Sequence, residues 1–162
     1  MKIMDGMGHT LRAYREDDLE AIFRLDEICF PEEFRFDRDS MRAFAGARNA
    51  VTLVAEGSGG EVAGFVIMQL ERRSGAVRGY VVTLDVSPEG RRNGLAARMM
   101  QEVEARAAAA GARRMELHVF TGNQGAIRFY ERIGYERIEA RLRFYGAEGL
   151  DAFVYRKDLA AL

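Results

Sequence analysis

The chain of 162 residues has one cysteine, two prolines and two histidines, and its charges almost cancel at a formal net charge of −1. Each scarcity closes off a class of protein. A lone Cys29 excludes an internal disulfide and suits a reducing compartment. One cysteine and two distant histidines, His9 and His118, offer no metal-ligand cluster, so no metal is expected. The balanced charge gives no general pull toward nucleic acid or anionic lipid. No apolar run approaches the ~20 residues of a membrane span. The opening "MKIMDGMGHT" is too short and too polar for a signal peptide. The expectation is a cytoplasmic protein that uses neither membrane nor nucleic acid. Lysine occurs only at Lys2 and Lys157, so 22 of the 24 basic residues are arginine, which reads as codon usage rather than function.

What is present is an ordinary globular composition, 48% hydrophobic and 30% charged. The length suits one domain with a real core, residues 1–162. "HTLRAYR" reads as a first short strand. "EDDLEAIFRLDEICF" follows as a helix, with acids at its start and Cys29 as a small core residue near its end. "DRDSMRAFAGA" reads as a second short helix. "AVTLVAE", "EVAGFVIMQLE" and "AVRGYVVTLDV" are β-rich runs separated by "GSGG" and "RRSG", the pattern of an antiparallel meander. In the third run Tyr80 alternates in phase with Val82, Leu84 and Val86.

"NGLAARMMQEVEARAAAAG" repeats Leu95, Met99, Val103 and Ala107 every four residues, with Met100 beside them and Gly111 as a stop. "ARRMELHVF" is a strand with Met115, Leu117 and Val119 on one face and Glu116, His118 and Phe120 on the other. Asn123 caps a last helix that places Ile127, Tyr130 and Ile133 along one side. "ERIEARLRFY" and "DAFVYRKDL" close the chain as strands. The expected order is β-α-α-β-β-β-α-β-α-β-β, an α/β fold on a mixed, mostly antiparallel sheet of about seven strands with about four helices.

The junction "SPEGRRNGLAARMM" opens a turn directly into the long helix. Amides at Asn93, Gly94, Leu95, Ala96 and Ala97, with the helix dipole, would attract an anion, and Arg91 and Arg92 add charge beside it. "GRRNG" is not the dinucleotide pattern G-x-G-x-x-G, and no Lys-Ser/Thr pair makes a nucleoside triphosphate loop. On these residues alone a basic turn capping a helix remains the alternative.

"RRNGLA" fits R/Q-x-x-G-x-G/A, the pyrophosphate signature of the GNAT acetyltransferase superfamily, with Ala96 in place of the second glycine. The chain resembles that superfamily from "TLDVSPEGRRNGLA" through "NQGAIRFYERIGY" to "FYGAEGLDAFVYRKDL". Its "CFPEEF" is similar to the substrate loop of the RimI-like N-terminal acetyltransferase branch. The resemblance implies acetyl-CoA as cosubstrate, held in a cleft between strands that splay near Val86 and Val119. It implies backbone contacts to pantetheine and acetyl from Leu84 and Val86, and a contact from Asn123. Arg91 and the amides from Arg92 to Ala97 would take the pyrophosphate. Tyr130 would stand at the thioester sulfur and protonate the departing thiolate.

Bacterial RimI proteins usually carry glutamate where this chain has His118. The "L-H-V" strand and Tyr80 instead resemble the NatE-type catalytic subunit, which implies His118 as base and Tyr80 as the residue that orients a proton-relay water. Glu116, on the same strand face, is a reserve base. Phe30, Pro31, Glu33 and Phe34 would form one wall of an acceptor groove, Phe144 and Tyr145 the other. The expected acceptor is a primary amine, above all a protein or peptide N-terminus, and the protein a monomer or homodimer. A lysine or small-molecule acceptor, or a non-catalytic acyl-CoA-binding module, stays open on the residues themselves.

Overall fold

Eight strands form one sheet in the order β1-β2-β3-β4-β5-β6-β8-β7. The computed structural model describes residues 3–4, 8–91, 93–145 and 149–160. The strands are β1 (Ile3–Met4), β2 (Thr10–Ala13), β3 (Ala50–Glu56), β4 (Val62–Arg73), β5 (Ala76–Val86), β6 (Arg114–Phe120), β7 (Glu136–Tyr145) and β8 (Leu150–Asp158). The helices are α1 (Leu19–Cys29), α2 (Arg38–Ala45), α3 (Leu95–Ala109) and α4 (Gln124–Arg132). The sequence leads to every element except β1, whose two residues pair with Thr10 and Leu11 and raise the strand number from seven to eight. So short a strand carries no readable alternation.

The sheet is covered on both faces. Leu19, Ile22 and Leu25 of α1 and Met41 and Ala45 of α2 pack on Val54, Phe65 and Ile67. Leu95, Met99, Met100, Val103 and Ala107 of α3 and Ile127 and Tyr130 of α4 pack on Leu53, Val66, Met68 and Val81. Neighbouring residues of β4 therefore serve opposite cores, which is why "AGFVIM" is apolar without a break. Gly64 lets α3 approach: a Cβ there would stand 2.9 Å from both the Asp85 carbonyl oxygen and Met99 Cε. At the sheet's far edge β7 is exposed along almost its whole length. It carries Arg137, Arg141 and Arg143, and its Leu142 is 77% exposed.

Two irregularities in β5 shape everything downstream. Its pairing with β6, the one parallel pairing among the described strands, runs only from Arg78–Arg114 to Val81–Leu117. Beyond it β5 stays bound to β4 as far as Val86, and β6 stays bound to β8 as far as Phe120. The two central strands thus part like a V. The second irregularity is a bulge: Met68 pairs with Val81 and Ile67 with Thr83, which leaves Val82 without an opposite residue. The extra residue inverts the strand's alternation. Val81, Leu84 and Val86 join the α3 side, while Val82 joins the α1 side. Tyr80 is therefore not in phase with Leu84 and Val86, contrary to the simple alternation of the sequence.

Gly64→Ala should cost about 1–3 kcal/mol by overpacking, because one of the two clashing partners is backbone. A thermal melt should show Tm lower by several degrees. An unchanged Tm would mean that α3 has room to retreat.

Candidate active site

Asn93 and Gly94 lead from the end of β5 into α3, with Gly94 at the N-cap in the left-handed region at φ +77°. Glycine suits that conformation, and α3 begins with no side-chain cap. The first-turn amides, including Leu95, Ala96 and Ala97, lack intrahelical acceptors and form a positive helix end at the mouth of the V. This arrangement fits a pyrophosphate. Arg91 is exposed beside it, its Nε donating to the Val86 carbonyl at 3.1 Å. Cys29 Sγ donates to the same carbonyl at 3.3 Å, so Cys29 is half-buried in a polar seam rather than a plain core residue. With two donors on it, that carbonyl can accept from a ligand only once Arg91 or the Cys29 thiol is displaced. Arg92 lies outside the described residues. Asn93 donates from Nδ2 to the Glu89 carbonyl at 3.4 Å. Asn123 spends its Oδ1 on the N–H of Ala126, at 3.1 Å, as the cap of α4.

On the α1 side of the sheet Tyr80 and His118 meet across the last paired rungs of β5 and β6. The phenolic oxygen is 2.7 Å from His118 Nδ1. Burial lowers the His118 pKa below its ordinary value, with the Arg141 charge adding to the effect, so the imidazole is neutral at pH 7. Burial pushes Tyr80 up to about 12, which keeps its proton in place. Phe144 stacks on the imidazole, ring centroids 4.0 Å apart and planes 4° from parallel.

Glu116 is not a spare base. It accepts from Arg78 at 2.7 Å and pairs with Arg156 at 3.6 Å, and it is buried. Arg78 also holds Glu71 at 2.7 Å and lies 5.5 Å over the Tyr80 ring. This network braces the tyrosine from behind.

The two expected groove walls touch. Phe34, on the 3-10 turn Glu32–Phe34, packs at 4.8 Å against Tyr145 and at 5.0 Å against Phe120. Phe144 meets Tyr145 edge-on at 4.9 Å. Phe120 belongs to this cluster although the sequence reading left it out. Its position two residues beyond His118, on the same strand face, was the available signal. Pro31 and Glu33 stand exposed on the turn and Phe30 closes α1; none of the three joins the ring cluster. Tyr130 lies on the other side of the sheet, buried, with edge contacts to Phe129 and Tyr135. Burial raises its pKa, and its hydroxyl bonds to no described residue. Among the described residues no three His, Cys, Asp or Glu side chains converge as a metal site.

A positive helix end, a V between two strands, and a tyrosine–histidine pair at its base describe a group-transfer site for a long anionic cosubstrate. Residues 19–135 match the sequence profile of the Acetyltransferase (GNAT) family, and the chain belongs to that family. It is an acetyl-CoA-dependent acetyltransferase. N-alpha-acetyltransferase daf-31 of Caenorhabditis elegans is 30% identical over 154 residues, 93% of this chain and 83% of that protein. The structure of Arabidopsis thaliana Naa50 in complex with the bisubstrate analogue CoA-Ac-MVNAL is 26% identical, with a TM-score of 0.79 over 93% of this chain and 98% of that one. Arabidopsis thaliana NAA60 in complex with a bisubstrate analogue shares the fold at a TM-score of 0.82 and 20% identity, over 95% of this chain and 99% of that one.

Gly94→Val forces a β-branched residue toward positive φ at a cost of about 1–2 kcal/mol. Either the turn reshapes or the helix start shifts. Calorimetric titration should show acetyl-CoA bound about tenfold more weakly; unchanged affinity would remove this turn from the cosubstrate site.

Proposed function

We propose that this acetyltransferase acts on the α-amine of a protein or peptide N-terminus. The observation that carries the reading is the Tyr80–His118 contact at 2.7 Å, set on the sheet face that also holds Phe34, Phe120, Phe144 and Tyr145. Aromatic rings there suit a peptide chain entering between the turn after α1 and the β7–β8 hairpin. The relatives named for N-terminal acetylation support the same acceptor.

A free α-amine has a pKa of ~7.7–8.0 and a lysine ~10.4. At pH 7 roughly a tenth of α-amines are neutral, against fewer than about one lysine in a thousand. A weak base therefore suffices for an N-terminus. The neutral amine attacks the thioester carbonyl carbon, and the C–S bond breaks. The amine's surplus proton passes to the Tyr80 oxygen, directly or through one water, while Tyr80 hands its own proton to His118 Nδ1. Tyrosinate never accumulates, because burial holds the Tyr80 pKa at about 12. Tyr130, kept protonated by burial, is free to donate to the departing sulfur. The α3 amides and Gly94 hold the pyrophosphate, and Leu84, Val86 and Asn123 line the pantetheine path. A cytoplasmic site of action belongs to the proposal, since a lone half-buried cysteine suits a reducing compartment.

Acetyl-CoA turnover, followed by thiol release, should occur on peptides with free N-termini and not on blocked peptides, lysine peptides or polyamines. His118→Ala should lower kcat by about 10²-fold or more, as loss of a general base does. The loss should be full where the imidazole is neutral and should shrink as pH falls through the His118 pKa, where wild type loses its own base. With the His118 pKa lowered, the wild-type limb belonging to this group lies below ~6.5 and disappears in the variant. Turnover on other amines, or a variant as fast as wild type from pH 6 to pH 9, would overturn the assignment.

A further inference from the structure

Beneath the cleft, two carboxyl groups are sealed inside the molecule. Asp26 on α1 is 0% exposed and Asp85 on β5 is 1% exposed. Asp26 Oδ2 accepts from the N–H of Phe36 at 3.0 Å, and Asp85 Oδ1 accepts from Thr83 Oγ1 at 2.5 Å. The other two oxygens, Asp26 Oδ1 and Asp85 Oδ2, have no donor among the described residues. The two face each other where α1 meets β5, for Cys29, three residues after Asp26, bonds the carbonyl of Val86, next to Asp85, at 3.3 Å, and each carboxyl bears on the other's protonation. Two bare carboxylates in contact, away from water, would repel and remain unsolvated. One proton between them turns the repulsion into a donor and an acceptor.

We propose that Asp85 keeps a proton at neutral pH and donates it to Asp26, and that this O–H···O bond positions the acceptor turn, residues 30–36, against the cosubstrate strand β5. The positioning role rests on the acetyl-transfer reading above; the proton itself does not. The chain of contacts is continuous: Phe36 N–H to Asp26, Asp26 to Asp85, Asp85 to Thr83 on β5. The turn so anchored carries Phe34, which packs on Tyr145.

The charged surroundings do not replace that proton. Arg35, whose charge acts on Asp26, donates its Nε to the Phe30 carbonyl at 2.7 Å. Arg91, facing Asp85, is bound to the Val86 carbonyl and to Cys29 Sγ. Glu27 adds negative field at Asp26. The Cys29 thiol, pushed up to about 11 by burial, and the Tyr130 hydroxyl are neutral neighbours of Asp85. Burial, with Asp26 adding to it, holds the Asp85 carboxyl well above the usual carboxylate range. A neutral Asp85 also keeps negative charge away from the thioester, where negative charge develops during transfer.

Asp85→Asn tests both halves, because its amide can donate to Asp26 and accept from Thr83 without a titrating proton. The folded wild type holds a proton that the unfolded chain releases above ~3.9. Wild-type stability therefore falls as pH rises from there through the folded pKa, and the variant lacks that slope. The Tm of Asp85→Asn minus that of wild type should grow between pH 4 and pH 8. Infrared spectra of wild type at pH 7 should show a protonated-carboxyl band that the variant loses. Parallel Tm curves, or no such band, would overturn the shared proton. For the positioning role, Asp85→Ala should raise KM for a free-N-terminus peptide about tenfold, with KM for acetyl-CoA within about twofold and Asp85→Asn near wild type. A sloped Tm difference with an unchanged peptide KM in Asp85→Ala would overturn the positioning half alone. If no peptide is acetylated by wild type, the acceptor reading fails while the melts still decide the proton.

Discussion

Everything functional here depends on β5 and β6 ceasing to pair after Val81 and Leu117. Backbone groups in the middle of a sheet are costly to leave unmatched. This fold can do so because each strand keeps its other neighbour: β4 holds β5 to Val86, and β8 holds β6 to Phe120. The gap is thus braced from outside and open within. The bulge at Val82 falls at the same level and turns the strand over. Before it, Tyr80 looks toward His118; after it, Leu84 and Val86 look toward α3 and α4. On the proposed function, a single unpaired residue would divide proton handling from cosubstrate holding.

That division extends to the two helical layers. The α3 side supplies an uncapped helix end and a buried tyrosine, both suited to a ligand that brings its own charge. The α1 side supplies aromatic rings, a histidine kept neutral by burial, and carboxyls that need their own compensation. Other interior acids show how compensation is usually reached: Asp18 is matched by Arg12 at 2.7 Å and Glu116 by Arg78. Asp26 and Asp85 have no bonded cation among the described residues, and the proposed shared proton would satisfy them in its place.

Much of this was legible in the chain. The stripe from Leu95 to Ala107, the Asn123 cap and the two faces of β6 all follow from local periodicity, and the structure returns them unchanged. The bulge was illegible because "YVVTLDV" contains no glycine or proline, and its polar Thr83 and Asp85 alternate regularly with Val82, Leu84 and Val86; only the register with β4 reveals the extra residue. Glu116 looked available because its partners Arg78 and Arg156 come from β5 and β8. Asp26 and Asp85 lie 59 positions apart, 85 minus 26, and each alone looks like an ordinary helix or strand-end acid. Pairing across elements is a property of the fold, and a one-dimensional pattern does not carry it.

The uncapped start of α3 has a kinetic consequence. A grip on a pyrophosphate acts far from the thioester and cannot sense whether the acetyl group is still attached. It strengthens the charged cosubstrate, the transition state and the spent coenzyme alike, which lowers KM without hastening the chemical step. On the proposed site, the same amides that would recruit acetyl-CoA would therefore retain its product. Turnover in a cell would then follow the ratio of acetylated to free coenzyme more closely than the concentration of either.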